Sequence, residues 1–442
     1  MPAMWRKEQS LHPTFEKLNR CLEQDWFLLA YELKLQRAHA RALQAAGIFS
    51  AEELAAIERA LAVVEERYAG SPCPQSEAED LHTWMEAALT ELAGEAGRKI
   101  HTARSRNDQV ATLLKMYLID CGRHLGAVLS GLMKLLCERA REWSELVFPL
   151  QTHTQFAAPG NVGFWALRYA TAFDRVRHHL AFCVSQWQQY CPLGSGAVAG
   201  SSIPIDRRIQ ATEMGFSAPS LNALDSTSTR DECLEFLALA TQIGLHLQSL
   251  AADVIAFSQS PLRWTVYPRD FATGSSMMPN KSNPDALELL RGEANVLAAA
   301  YQQAVLILKG LPSGYSRDLQ CIKPVVHSTA DKLAELCSLA TAFLERLNFD
   351  AERLRASLAL GNIGATRRME RLVLEGTPLR QAHFAVASDD AAAPDPRAND
   401  LDCAAYQTIG SASPAETRRI AGELLASLES ETPTISASAS TD

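Results

Sequence analysis

Ser275, Ser276, Lys281 and Asn283 lie within nine residues, in the segment that runs from Gly274 to Asp285. A cation, an amide and hydroxyls at this density suit chemistry on a carboxylate. The charged groups hold the anion while a nearby oxygen takes a proton. Pro284 fits the first position of a helix, with Asn283 as its N-cap and Asp285 in its first turn. Lys281 and Asn283 would then sit at the positive end of that helix, where anions bind. The same pattern also describes a capped helix after a surface loop, and local spacing does not separate the two.

Two further clusters carry polar chemistry. Thr152 and His153 stand in a polar stretch, residues 151–155, expected between two helices. Glu288, one turn into the helix after the serine loop, is placed to orient such a histidine and raise its basicity. The alternative for His153 is a structural histidine in a loop. Residues 101–109 crowd His101, Arg104, Ser105, Arg106 and Asn107 at the start of a long helix. That grouping suits carboxylate binding, and equally a solvated helix cap with ion pairs.

Helices must position these clusters, because helical periodicity dominates the chain. In 51–68 an apolar stripe of Leu54, Ile57, Leu61 and Val64 opposes glutamates and arginines. Longer stretches of the same kind fall at about 106–145, 161–190, 230–258, 285–309 and 326–346. Average helices are about 11–12 residues, so these lengths point to a bundle with an extended seam, completed by oligomerisation. The expected class is all-α. Segments 191–206 and 271–284 read as too polar and glycine-rich for a core. Residues 429–442 are rich in Ser and Thr with no apolar periodicity, and their end reads as a disordered tail.

Composition bounds the function. With 442 residues the chain exceeds the usual size of a single core. Its net charge of −9 and lack of a long basic run argue against nucleic acid. Ten cysteines show no CxxC pair and no metal-ligand spacing, so reduced thiols in the cytoplasm are expected. No membrane-length apolar run appears, and no ligand cluster for a metal or nucleotide. The expectation is a small-molecule substrate, no cofactor, no membrane and no nucleic acid.

Four blocks occur in order: HTARSRNDQVAT from His101, the pair Thr152-His153, PLGSGAVAGSSIPIDR from Pro192, and GSSMMPNKSNPDALELLRG from Gly274. With Tyr315-Ser316-Arg317-Asp318-Leu319-Gln320, they make the chain similar to the fumarase/aspartase superfamily and, within it, to the argininosuccinate lyases. The resemblance spans roughly residues 25–385. It implies a three-domain fold (1–103, 104–356, and 357–442 with its tail) around a central bundle of long helices. It also implies a homotetramer with each site shared by three chains, and a cofactor-free C–N lyase releasing fumarate from an N-substituted aspartate.

By the same resemblance Ser275 removes the Cβ proton, Lys281 and Asn283 stabilise the resulting aci-carboxylate, and His153 with Glu288 serves the acid side. The acid and base labels of Ser275 and His153 stay open. Ser105, Arg106, Asn107 and Thr152 are implied for the succinyl carboxylates. Tyr315, Gln320 and Lys323 are implied for the arginine portion, and His82 lines the site. The chain also departs from the family. Only Trp5 hints at the usual Trp-Gly-Gly-Arg-Phe block. Glu32 and Gln36 replace an aspartate and serine in a substrate-contacting segment. Asn280 and Ser282 replace glutamine and lysine, and residues 365–372 depart from ATDLADYL. These changes leave a different N-succinyl amine as the second reading. A catalytically silent relative is the third.

Overall fold

The structure, a computed structural model, describes residues 11–388 and 400–431. Trp5 and the stretch 432–442 lie outside the described residues. Five long helices dominate: Arg106–Glu142, Val162–Trp187, Asp231–Ser258, Asp285–Leu308 and Ile322–Arg346. The first, at 37 residues, extends about 55 Å at the usual rise. The described residues divide into two compact units. One comprises 11–125, 179–240 and 297–332, and the other comprises 126–178, 241–296, 333–388 and 400–431.

Local chemistry explains where helices begin. Ser50 and Glu53 form a reciprocal capping box ahead of Ala51–Tyr68, and Ile57, Leu61 and Val64 from the expected stripe are buried, with Leu54 half-buried. Ile322–Arg346 starts four residues before the expected 326. Pro324 sits in its first turn, where a backbone N–H has no intrahelical partner to lose.

Three local expectations are corrected. His153 does not join two helices directly: it tips an antiparallel hairpin of Val147–Thr152 and Gln155–Asn161. Helix Asp285–Leu308 begins after Pro284, whose carbonyl accepts from the amides of Leu287 and Glu288. Asn283 is therefore not its cap. It pairs with Thr273 in a two-residue ladder, Thr273–Gly274 against Ser282–Asn283. Finally, Cys191, Leu193, Ser195 and Gly196 are buried, although the segment reads as surface. Its backbone polar groups are satisfied by the buried Asp108 and the half-buried Arg207.

Candidate active site

In the first unit, Ser105 caps helix Arg106–Glu142. Its hydroxyl accepts the Asn107 amide at 3.3 Å, and its own amide donates to Asp108 Oδ1 at 2.8 Å. Asp108 Oδ2 takes the amides of Gly194 and Gly196 at 2.9 and 2.8 Å. Both glycines hold positive φ, 85° and 61°, and a Cβ on Gly196 would fall 2.7 Å from the Gly200 carbonyl. The Arg207 guanidinium closes the other side of the loop, donating to the carbonyls of Cys191, Pro192 and Leu193. Asn107 Nδ2 reaches the Ala197 carbonyl at 3.0 Å. The 101–109 and 192–207 blocks are thus one hydrogen-bonded body. Burial pushes the Asp108 carboxyl up to about 6 against the pull of these donors.

Ser105, Arg106 and Asn107 line a cavity of about 610 Å³ whose walls also include Glu79, Glu86 and Arg317. Arg106 meets Asp80 at 3.2 Å and Thr83 Oγ1 at 2.7 Å, and Arg317 meets Glu79 at 3.0 Å. Glu86 pairs with His101. Burial and the neighbouring Asp80 raise the Glu79 carboxyl above its ordinary value. Anionic and cationic groups therefore share one wall.

The other predicted residues of this unit are engaged with partners. Lys323 is 1% exposed and ion-paired with Asp25. Gln320 Nε2 donates to Cys21 Sγ at 3.3 Å, while its Oε1 is buried without a hydrogen-bond partner among the described residues. Tyr315 is half-buried, and burial raises its hydroxyl pKa. His82 is buried, with Nδ1 3.0 Å from Glu32 Oε2.

The second unit holds Thr152, His153, Ser275, Lys281, Asn283 and Glu288. His153 and Thr154 form the two-residue hairpin tip with φ of 52° and 61°. Paired left-handed residues make the tight turn that matches hairpin twist, usually with Asn-Gly. Here an imidazole and a β-branched residue adopt it at roughly 1–2 kcal/mol each, a strain of the kind found at functional sites. The tip leaves His153 exposed. Ser275 Oγ accepts the amides of Met277 and Met278 at 3.3 and 3.1 Å, an arrangement that favours negative charge on that oxygen. Lys281 is exposed, its amide turned to the Met278 carbonyl at 3.0 Å. Glu288 is also exposed. Among the described residues, no hydrogen bond or ion pair joins His153 to Glu288 or to Ser275.

The model of the lyase family matches residues 6–298. An argininosuccinate lyase of Koribacter versatilis (strain Ellin345) is 39% identical over 382 residues, covering 86% of this chain and 82% of that protein. One from Moorella thermoacetica (strain ATCC 39073 / JCM 9320) is 40% identical over 352 residues, covering 79% and 76%. The chain belongs to the argininosuccinate lyase family. It is accordingly an enzyme, a C–N lyase of the fumarase/aspartase superfamily. Two solved structures share the fold. EDDS lyase in complex with formate has a TM-score of 0.81 at 21% identity, covering 97% of this chain and 92% of that one. The beta-carboxy-cis,cis-muconate cycloisomerase of Acinetobacter calcoaceticus sp. ADP1 has 0.69 at 17%, covering 82% and 83%. Among the described residues no helix is long and apolar enough to cross a membrane.

The structure also gives parts to Asp108 and Arg207 inside the quoted blocks, to Asp25 and Glu86, and to Glu32, a departure noted above. Asp108 had a signal, as the acid three residues after a serine cap. Asp25 had none, lying 298 positions from Lys323.

Asp108→Ala should strip one acceptor from three amides, lowering unfolding stability by about 3 kcal/mol or more in urea titration. Because burial raises this carboxyl from 3.8 to about 6, the folded protein holds its proton more tightly than the unfolded chain. The group's contribution to stability therefore declines as pH rises from about 4 to about 6. The wild-type-minus-variant difference should narrow over that window. A difference independent of pH would show that Asp108 titrates normally.

Proposed function

We propose that this enzyme converts argininosuccinate to arginine and fumarate. The observation that carries the reading is the mixed wall of the first unit's cavity. Ser105, Asn107 and two arginines face the same space as Glu79 and Glu86, which suits a ligand carrying carboxylates and a guanidinium. In the proposed reaction a base removes the Cβ proton of the succinyl group. The carboxylate beside it takes up the charge, the Cα–N bond then breaks, and the departing nitrogen gains a proton. Ser275, with two amides on its oxygen, suits the base, and Lys281 and Asn283 suit the aci-carboxylate. No step calls for a metal or nucleotide.

We propose further that four chains assemble with shared sites. In support, His153 and Glu288 do not meet within one chain. Leu289 and Val296, two turns apart on helix Asp285–Leu308, are also 63% and 51% exposed, an apolar stripe of the kind oligomers cover.

A second reading, elimination from another N-succinyl amine, draws on Lys323 and Gln320. The groups assigned to the amine are already held by Asp25 and Cys21. Following fumarate absorbance over a panel of N-succinyl amines separates the two. We expect argininosuccinate to give fumarate and arginine in equal amounts. Turnover of another amine with kcat/KM about a hundredfold higher, some 2.7 kcal/mol of preference, would overturn the assignment.

A further inference from the structure

Gln36 stands where a substrate-contacting residue was expected, yet it is 0% exposed. Both ends of its amide are engaged by protein. Nε2 donates to Glu32 Oε1 at 2.7 Å, and Oε1 accepts from Arg104 Nη1 at 2.9 Å. The second Glu32 oxygen is the one that meets His82 Nδ1 at 3.0 Å. Arg104 is 6% exposed, and its Nε and Nη2 have no hydrogen-bond partner among the described residues. A buried guanidinium this poorly satisfied is drawn to any carboxylate in reach, and Glu32 is first among the anions acting on it. A planar amide can accept from the cation and donate to the carboxylate at once.

We propose that Gln36 is a positioning residue for His82, its amide holding Arg104 off Glu32 so that His82 is the one ionisable group hydrogen-bonded to this carboxylate. The proposal rests on the reading above and takes His82 as the site residue that the resemblance implies. Facing His82 are Glu32 from helix Leu29–Ala45, Asp80 at the cap of its own helix, and Asp25. Asp80 is shared with Arg106, and Asp25 with Lys323, which leaves Glu32 as its least divided partner. Burial opposes charge on the imidazole, but these carboxylates outweigh it and hold His82 above its ordinary value.

Deuterium exchange at the imidazole C2 carbon, read by mass spectrometry on the His82 peptide across pH, tests this without needing substrate. In Gln36→Met, Arg104 reaches Glu32, and the His82 midpoint should fall by about 0.5 unit or more. Adding Arg104→Met removes the competing cation and should restore it. Gln36→Glu holds Arg104 by charge and should leave the midpoint at or above the wild type, so it provides a reading even if Gln36→Met fails to fold. The alkaline limb of kcat/KM should move with the midpoint. A midpoint within about 0.2 unit of wild type in Gln36→Met, no restoration in the double variant, or a fall in Gln36→Glu would each overturn the proposal. If no N-succinyl amine releases fumarate, the substrate assignment fails while the midpoints still decide the role of Gln36.

Discussion

Ser275→Ala should lower kcat by at least about a hundredfold while KM changes less than about threefold, and Lys281→Met should behave alike. The reason lies in when each group matters. The two amides on Ser275 Oγ support the anionic, proton-accepting form of that oxygen, whose charge passes to the substrate as the proton is taken. Lys281 answers charge that appears on the substrate at the same moment. Neither group is assigned to holding the substrate before the proton moves, so binding is spared and turnover is not. A hundredfold loss is about 2.7 kcal/mol of transition-state stabilisation, within the range of a single well-placed donor. Steady-state kinetics with the best substrate of the fumarate panel supply the measurement. A variant retaining more than about a tenth of wild-type turnover, under ~1.4 kcal/mol lost, removes that residue from the mechanism.

Two inactive parents should yield an active mixture. If sites are shared between chains, the His153 and Ser275 that work together come from different subunits. His153→Asn and Ser275→Ala enzymes are then each nearly dead. Hybrids formed by co-expression contain some sites built from the intact copy of each residue. With equal expression and random assembly, about a quarter of sites draw both groups from undamaged chains, and activity should climb toward that fraction of wild type. A chain whose own His153 and Ser275 cooperated would show no recovery. Verified hybrids as inactive as their parents would sink the shared-site proposal for this pair.

How much of this was legible beforehand depends on the range over which a signal acts. The helix at 51–68 could be read because its stripe and its capping box are both local, within four residues of one another. Helix Asp285–Leu308 was legible for the same reason, and its start was misplaced only because Asn283 pairs with Thr273, ten positions back. The hairpin at His153 was missed because its tip is His-Thr and lacks the Asn or Gly that announces such a turn. Residues 191–196 looked like surface because glycine and serine usually mean solvent. What puts them inside is Asp108 and Arg207, and no local rule connects those residues to that loop. Gln36 misled in the opposite sense. It occupies a position that resemblance assigns to substrate contact, yet both its hydrogen bonds go to protein.

The carboxylate of Asp108 bonds to amides 86 and 88 positions away along the chain. That separation bears on how the molecule reaches its native state as well as on how it holds together. Closing so long a loop carries an entropy penalty that grows with the logarithm of its length, about 0.6 kcal/mol per doubling. No contact within 192–200 can offset it alone, since the glycines there favour open conformations. The loop is complete only with the first turn of helix Arg106–Glu142 and with Arg207 in place. The wall that carries Ser105 and Asn107 therefore depends on contacts of long sequence separation, the kind that slow the folding of a chain.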